Sequence, residues 1–223
     1  MNLAKSYEFF KPEMCNERIH VIGCGAIGSH VAEQLVRYGL TNITLYDFDR
    51  VEAHNVANQI FTQEDIGKTK VEALAEYLAK INPEVVGKLK LADKGYTGQR
   101  LTGYVFLAVD NIDLRRQIAT ACKGNMFVKA MFDFRMGLTD AQHYAAAWND
   151  TKMVEAFINS MAFSHEEAQA NTPVSACNMT LSVCSTVKMV VSCGVANFIN
   201  FVKDGQIKKM IMVDAFNFDI TAL

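Results

Sequence analysis

The chain has 223 residues, of which 50% are hydrophobic and 21% are charged, and its formal net charge is −2. This composition is typical of a folded globular protein and excludes an intrinsically disordered chain. The small negative charge argues against binding of nucleic acid through bulk positive charge, so we expect no nucleic-acid partner.

The six cysteines are scattered along the chain, and none belongs to a Cys-x-x-Cys pair. Scattered thiols favour a reducing compartment, so we expect a cytoplasmic protein. No group of cysteines and histidines has zinc-ligand spacing, and we expect no zinc. The N-terminal segment lacks the apolar core of a signal peptide. The most apolar stretch, 180–202, contains Lys188, Asn197 and Asn200, which predicts a buried helix and no membrane partner.

Apolar strands and amphipathic helices alternate along the chain. Strands are predicted at 18–23, 42–47, 84–91, 104–109, 126–133, 141–148 and 208–218. Helices are predicted at 26–38, 68–81, 112–123 and 179–203, and 151–171 is expected to be helical or irregular. The alternation predicts a Rossmann-like α/β fold. We expect a doubly wound, mostly parallel sheet with helices on both faces and antiparallel strands toward the C-terminus. No Pro/Gly/Ser-rich linker divides the chain, so 1–223 is predicted to be a single domain.

A glycine-rich turn, Gly23-Cys24-Gly25-Ala26-Ile27-Gly28, joins the first predicted strand to the first predicted helix. The first glycine permits a tight turn, the second lets the backbone approach a phosphate, and the third lets the helix pack on the strand. Asp47 follows at about 20 residues, the separation at which a carboxylate reaches a ribose hydroxyl. By itself this pattern fits proteins that bind NAD, FAD or ATP.

Two charged residues farther along the chain favour ATP among these ligands. Lys70 lies at the start of a predicted helix, and Asp110 lies at the end of a predicted strand. A triphosphate needs a lysine to neutralise its charge and an acid to hold magnesium. An NAD- or FAD-binding oxidoreductase would leave both residues, and Asn111, without a role.

Four segments follow one another over residues 18–116. They are G-C-G-A-I-G-S, D-F-D-x-V-x-x-x-N-x-x-N-Q, D-I-G-K-T-K-V-E, and V-D-N followed by Arg115. In order and spacing they resemble the ThiF/MoeB/HesA family, adenylyltransferases related to ubiquitin-activating enzymes. The resemblance makes 18–116 the nucleotide-binding half and 117–223 a divergent half with a long apolar helix. Within the family, the chain looks most like short ThiF-type proteins of phages and mobile elements.

The resemblance implies one shared reaction. A C-terminal carboxylate, usually the glycine end of a small ubiquitin-like protein, attacks the α-phosphate of ATP and yields an acyl-adenylate and pyrophosphate. The implied cofactors are ATP and Mg2+, and the implied partner is a small ubiquitin-like protein or a peptide with a free C-terminus. Relatives are mostly dimers, which implies a homodimer.

The resemblance also implies a role for each motif residue. The implied nucleotide-binding residues are Gly23, Gly25, Ala26, Gly28, Asp47, Asn55, Asn58, Lys70 and Asn111. Lys70 would stabilise charge as pyrophosphate leaves, and Asp110 would hold Mg2+. Cys177 stands where many relatives carry the cysteine that accepts the acyl group. A thiol near a helix N-terminus can be nucleophilic, although a packing role for Cys177 is the alternative.

One position departs from the family pattern. The usual N-x-x-R-Q reads Asn55-Val56-Ala57-Asn58-Gln59, and an amide cannot replace the charge and the fork of a guanidinium. Another cation would have to compensate, and the candidates are Lys68, Arg50 and Arg135. Arg135, which we expect just beyond a strand end, is preferred, and a surface salt bridge is its alternative role. Without a compensating cation, the protein would be a catalytically weak nucleotide-binding module that engages a partner.

Overall fold

The computed structural model describes residues 1–170, 174 and 181–223. Within these residues the strands are β1 Ile19–Ile22, β2 Ile43–Tyr46, β3 Lys90–Ala92, β4 Gly103–Leu107, β5 Val128–Met136, β6 Asp140–Ala147, β7 Met210–Asp214 and β8 Asp219–Ala222. The helices are α1 Ala26–Arg37, α2 Lys70–Ile81, α3 Ile112–Ala121, α4 Thr151–Asn159, α5 His165–Ala170 and α6 Cys184–Asp204. The alternation predicted from the sequence is confirmed.

All eight strands form one sheet in the order β3-β2-β1-β4-β5-β6-β7-β8. The first five strands are parallel, and β6, β7 and β8 each pair antiparallel with the strand before. The chain builds outward from β1 to one edge and then returns to add β4 on its other side. This reversal opens a crevice at the carboxyl ends of β1 and β4, the place where ligands bind in open α/β sheets.

Helices α1, α2 and α6 cover one face of the sheet. Their apolar side chains join those of the strands in one buried cluster, in which Val31, Leu74 and Val190 are fully buried. The ring of Phe198 on α6 makes edge-to-face contacts with Phe106 and Phe132, at centroid distances of 5.2 and 5.4 Å. These contacts fix α6 against the middle of the sheet, because aromatic pairs favour this geometry.

Helices α3 and α4 cover the other face, over β4, β5 and β6. Ile118 and Phe157 from these helices pack with Val105, Met131 and Ala146 from the strands. By length and apolar character alone α6 could also cross a bilayer, but half of its most apolar stretch is buried inside the protein. A core helix of this kind meets the same length and composition criteria.

Two predicted strands differ most from the structure, and β5 also extends beyond its predicted end at 133, to Met136. In the range 84–91, only the end is strand: Pro83–Val85 form a 3-10 turn that Asn82 caps through its side chain, and β3 starts at Lys90. In the range 208–218, the chain turns after β7 and returns as β8. The turn places Phe218 at φ +58°, a left-handed conformation that a phenylalanine rarely adopts and that sequence patterns do not predict.

Candidate nucleotide site

The glycine-rich turn lies between β1 and α1, at the crevice. Gly23 has φ +95°, and a Cβ there would lie 2.7 Å from the backbone of Ala108. A Cβ on Gly28 would lie 1.8 Å from the carbonyl oxygen of Gly23. Gly25 is different, since a Cβ there would meet nothing within 4 Å. The first and third glycines therefore serve close packing, while Gly25 borders open space beside Ala26, the first residue of α1.

These two kinds of glycine predict opposite effects of an added methyl group. Gly28→Ala should lower the free energy of unfolding by more than about 4 kcal/mol, because the new Cβ overlaps backbone that cannot move aside. Gly25→Ala should change it by less than about 0.5 kcal/mol and should instead weaken ATP binding by on the order of tenfold, as the methyl keeps phosphate from the backbone. Urea unfolding and calorimetry measure the two effects. Equal loss of stability in both variants would contradict this division of roles.

The start of α1 is suited to an anion. Its N-cap residue, Gly25, has no side chain that could accept hydrogen bonds from the first turn of the helix. The leading N–H groups of a helix carry partial positive charge, and they bind phosphate where no capping side chain covers them. The open space beside Gly25 thus adjoins a set of uncapped backbone donors, which fits a nucleotide phosphate.

Asp47 follows β2 and is almost fully buried. Its Oδ2 accepts a hydrogen bond from the backbone N–H of Cys24 at 2.6 Å, and its Oδ1 accepts one from that of Asp49 at 2.9 Å. Burial raises the pKa of Asp47, and the two backbone donors and the charge of Lys70 oppose that rise. The carboxylate thus holds the glycine-rich turn to the end of β2. Its predicted contact with a ribose stays a prediction.

Lys70 begins α2, and its side chain is only 9% exposed. Its Nζ lies 2.7 Å from Oδ2 of Asp49, and its backbone N–H donates to the carbonyl of Asp49. The lysine charge is therefore held at the carboxyl end of β2, near the turn that Asp47 fixes. The sequence motifs alone predict no role for Asp49. Its position two residues after Asp47 was the available signal, but nothing local indicated a contact with Lys70.

Asp110 lies in the loop that joins β4 to α3, and its side chain is exposed. It makes no hydrogen bond or ion pair with the residues that the structure describes. The preceding residue is held firmly: Arg115 on α3 donates from Nε to the carbonyl oxygen of Val109 at 2.6 Å and from a second nitrogen to the same oxygen. The third guanidinium nitrogen bonds Oδ1 of Asp133 at 2.8 Å and the carbonyl of Phe134. Arg115 thus ties the Asp110 loop to β5.

This arginine clamp predicts a specific loss when its geometry is altered. Arg115→Lys keeps the charge but cannot reach three acceptors at once, and Asp133 is fully buried. We expect the free energy of unfolding to fall by about 2–4 kcal/mol, since hydrogen bonds of charged groups are lost in the interior. Arg37→Lys is the control, because Arg37 is exposed and pairs with Glu33 on the surface of α1, so its replacement should cost less than about 1 kcal/mol. Urea unfolding distinguishes them, and equal costs would contradict the clamp.

The three asparagines of the motifs differ in the hydrogen bonds that their side chains form. Asn55 is buried, and its Oδ1 accepts from the backbone N–H of Glu52 at 2.9 Å, while its amide nitrogen makes no hydrogen bond with the described residues. Asn111 caps α3 through its Oδ1, which accepts from Leu114 at 3.0 Å. Asn58 is half-buried and ends a short 3-10 turn. Within the described residues, the amide nitrogen of Asn55 is therefore free to donate a hydrogen bond, whereas the side chain of Asn111 caps α3.

Arg135 lies within β5 and not just beyond a strand end as the sequence predicted. Its guanidinium is fully engaged: it bonds Oδ2 of Asp133 at 2.7 Å and both the carbonyl and the hydroxyl of Ser160, and it stacks on the ring of Tyr144 at 4.1 Å. The sequence could not indicate this, because Ser160 and Tyr144 are distant in the chain. Arg135 therefore forms a largely buried ion pair and not the surface salt bridge that was its alternative, and its contact with a phosphate stays a prediction.

The other two cations named for this role differ in their availability. Lys68 bonds Asp65 at 3.1 Å and Glu76 at 2.7 Å through its ammonium group. Arg50 is exposed, forms no ion pair with the described residues, and donates only to the carbonyl of Gly67 at 2.7 Å. Of the three, Arg50 keeps most of its charge available, and it directly follows Asp49.

Cys177 falls outside the described residues, so its role stays a prediction. Five other cysteines are described, and all are free thiols. Burial raises the pKa of Cys24 well above its ordinary range. It also raises the pKa of Cys122 to about 11, and it raises the pKa of Cys193. These three thiols are consequently poor nucleophiles at neutral pH.

Among the described residues, no group of three or more His, Cys, Asp or Glu side chains could hold a metal by itself. Mg2+ often binds through one or two carboxylates together with the phosphates of a substrate. The exposed, unpaired carboxylate of Asp110, in a clamped loop beside the glycine-rich turn, fits a metal held in that way.

The fold is that of a mixed α/β protein with a mostly parallel sheet and helices on both faces. The chain belongs to the ThiF family, whose profile matches residues 11–221.

Curated relatives share part of this chain. The ubiquitin-like modifier-activating enzyme 5 of Drosophila mojavensis is 30% identical over 141 residues, and that of Culex quinquefasciatus is 31% identical over 138 residues. The alignments cover 56% and 55% of this chain and 34% of each relative. The chain thus spans about a third of the length of the curated relatives it matches.

Solved structures with the same fold include MccB of E. coli in complex with ATP, with a TM-score of 0.75 and 16% identity. The match covers 95% of this chain and 65% of MccB. A structure of PaaA matches with a TM-score of 0.71 and 14% identity, over 99% of this chain and 68% of PaaA. At these identities the likeness concerns the fold.

Proposed function

We propose that the protein is an ATP-dependent adenylyltransferase that activates the C-terminal carboxylate of a small ubiquitin-like protein or peptide. One observation carries the proposal: the uncapped turn at Gly25, the buried ammonium of Lys70 that Asp49 holds, and the exposed carboxylate of Asp110 follow the carboxyl ends of β1, β2 and β4. Membership of the ThiF family supports it. So do relatives named as ubiquitin-like modifier-activating enzymes and structures of MccB with ATP and with a modified MccA.

The reaction is a substitution at phosphorus. A carboxylate oxygen of the partner attacks the α-phosphorus of ATP, and the bond from that phosphorus to the bridging oxygen breaks. Pyrophosphate leaves with the bond electrons, and the acyl-adenylate remains. Uncapped N–H groups at the start of α1 and the ammonium of Lys70 stabilise charge that grows on the phosphates. Because Lys70 is held by Asp49, its charge needs little reorganisation during the reaction.

Asp110 would hold Mg2+, which supplies positive charge to the phosphates when bound. Arg115 fixes the backbone just before Asp110, so the carboxylate enters the site from a rigid loop. We assign the missing charge at Asn58 to Arg50, which is exposed and unpaired in the described part of the chain, in preference to Arg135. An amide at position 58 alone would leave the terminal phosphates short of one cation.

We also propose a cytoplasmic homodimer. The free thiols of the described cysteines fit a reducing compartment, and closed twofold pairs are the commonest assembly of soluble proteins. Transfer of the acyl group to Cys177 remains part of the proposal. In that step the thiolate would attack the acyl carbon and release AMP.

Calorimetry tests the nucleotide class directly. We expect the protein with Mg2+ to release heat on titration with ATP and to give little heat with NAD, since Lys70 and Asp110 serve a triphosphate. FAD is the second comparison ligand. Tight binding of NAD or FAD without binding of ATP would overturn the proposed function in favour of an oxidoreductase.

A further inference from the structure

Within the described residues, no helix covers β1, β2 and β3 on the face opposite α1, α2 and α6. The connection from β3 to β4, residues 93–102, consists of turns and bends. Connections between parallel strands usually contain about a dozen residues or more and most often a helix, and parallel sheets are usually covered on both faces. In this protein the three strands instead border a cavity of about 350 Å3.

The floor of this cavity is polar, unlike the usual apolar face of a parallel sheet. His20, Thr44 and Lys90 are register partners across β1, β2 and β3, so they form one row. Tyr46 lies on the same face two residues beyond Thr44, and its hydroxyl is 2.8 Å from Nδ1 of His20. His20, Thr44 and Tyr46 are all more than nine-tenths buried. The floor is therefore a fixed polar surface and not a set of mobile solvated side chains.

His20 is neutral at physiological pH. Burial lowers its pKa to about 4 together with the charges of Arg18 and Lys90, and a backbone hydrogen bond with Thr102 opposes that shift. Its Nε2 faces the backbone N–H of Thr102 at 3.4 Å and accepts from it, so Nδ1 carries the proton and donates to Tyr46. The ring links the floor to the segment above the cavity. The positive charge of the cavity comes from other residues.

The rim supplies that charge. Arg18, Lys90 and Arg100 all line the cavity, and no acidic residue does. None of the three forms an ion pair with a residue that the structure describes; Arg18 donates to two carbonyls, and Arg100 stacks on Phe127. Three unpaired cations around one cavity are notable in a chain of net charge −2, and they leave an excess of positive potential in a partly enclosed space.

We propose that this cavity binds a small phosphorylated molecule at a site separate from the nucleotide crevice. Two guanidinium groups and an ammonium on the rim match the charge and the oxygens of a phosphate group, and hydroxyl groups on the floor offer further hydrogen bonds. The volume lies at the lower end of the range for small-molecule pockets, about 300–1,000 Å3. The cations are placed at the amino ends of β1 and β3, whereas Gly25, Lys70 and Asp110 lie at the carboxyl ends of strands.

Calorimetry with inorganic pyrophosphate tests the site in a protein that carries Lys70→Met. This substitution weakens the binding of pyrophosphate in the nucleotide crevice. We expect one binding event for pyrophosphate. In NMR spectra, pyrophosphate should shift the backbone amide signal of Thr102. Adding Lys90→Gln and Arg100→Gln should weaken the binding by tenfold or more, since each removes a charged donor. In the otherwise unaltered protein this pair should leave ATP affinity unchanged.

The matched control is the pair Lys88→Gln and Lys94→Gln. Both lysines are exposed and lie close in sequence to Lys90, but they do not line the cavity. Their substitution removes the same amount of positive charge as the first pair. We expect the control pair to change pyrophosphate affinity less than twofold. The proposal is overturned if the Lys70→Met protein does not bind pyrophosphate, or if both pairs lose affinity equally. The outcome is independent of the proposed adenylation, because ATP binding is measured separately.

Discussion

Asp110→Asn is expected to lower the rate of ATP–pyrophosphate exchange at least a hundredfold. The substitution removes one charge from the proposed Mg2+ ligand, and an electrostatic group that acts in the transition state typically contributes about 3 kcal/mol. Folding should be unaffected, because the side chain is exposed and contacts no described residue through a hydrogen bond or ion pair. The free energy of unfolding should therefore change by less than about 0.5 kcal/mol.

Asp113→Asn is the control for that experiment. Asp113 lies three residues farther on, is half-exposed and pairs with Arg116 at 2.6 Å. The substitution removes the same charge from the surface of α3. The exchange rate should stay within about twofold of that of the unaltered protein, since exposed ion pairs contribute little to stability. Full exchange activity in Asp110→Asn would show that Asp110 has only a structural place in the loop.

Lys70→Met is expected to reduce exchange by on the order of a hundredfold, through a weaker affinity for the phosphates as well as a lower kcat. Methionine fills similar space but leaves the departing pyrophosphate without the buried ammonium. The cost to folding should stay below about 1 kcal/mol, because its partner Asp49 is half-exposed and remains solvated. Exchange kinetics measure the loss of activity, and urea unfolding measures the cost to folding.

Lys68→Met provides the comparison at a neighbouring position. Its ammonium is held by Asp65 and Glu76 and is more exposed than that of Lys70. We expect exchange to remain within about threefold of the unaltered protein. An equal loss in the two variants would contradict a specific role for Lys70 and would return Lys68 to the list of phosphate-binding cations.

The fold of residues 18–116 could largely be predicted because its signals are local. Strands β1, β2 and β4 are short runs of mostly apolar residues, each helix repeats apolar residues at helical spacing, and the glycine turn needs particular backbone geometry at Gly23 and Gly28. The order of these elements then requires a crevice at the carboxyl ends of the strands. Asp47, Lys70 and Asp110 were predicted to lie there for this reason.

Other features depend on contacts between distant residues, which no local pattern encodes. The pairing of Lys70 with Asp49 spans 21 positions, and the contact of Arg135 with Ser160 spans 25. The first was not anticipated, and the second takes up a cation that had been preferred for phosphate binding. The three carbonyl and carboxylate contacts of Arg115 join the end of β4 to β5, so its clamp becomes visible only in the folded chain.

The open face of β1, β2 and β3 had no sequence signal either. His20 is buried and bonded to Tyr46, and its position between apolar neighbours in the sequence indicates no more than a core residue. Its place beside three unpaired cations depends on the strand register and on the missing helix between β3 and β4. Register is a tertiary property that the apolar pattern of one strand does not fix across its neighbours.

ATP–pyrophosphate exchange with a defined carboxylate partner tests the central claim most directly. The partner is a small ubiquitin-like protein or peptide, supplied once with a free C-terminus and once with that terminus amidated. The account predicts exchange that requires the free carboxylate, ATP and Mg2+, and none with the amidated form. Exchange that is equal with both forms, or tight NAD binding by a protein that shows no exchange with any free carboxylate, would contradict it.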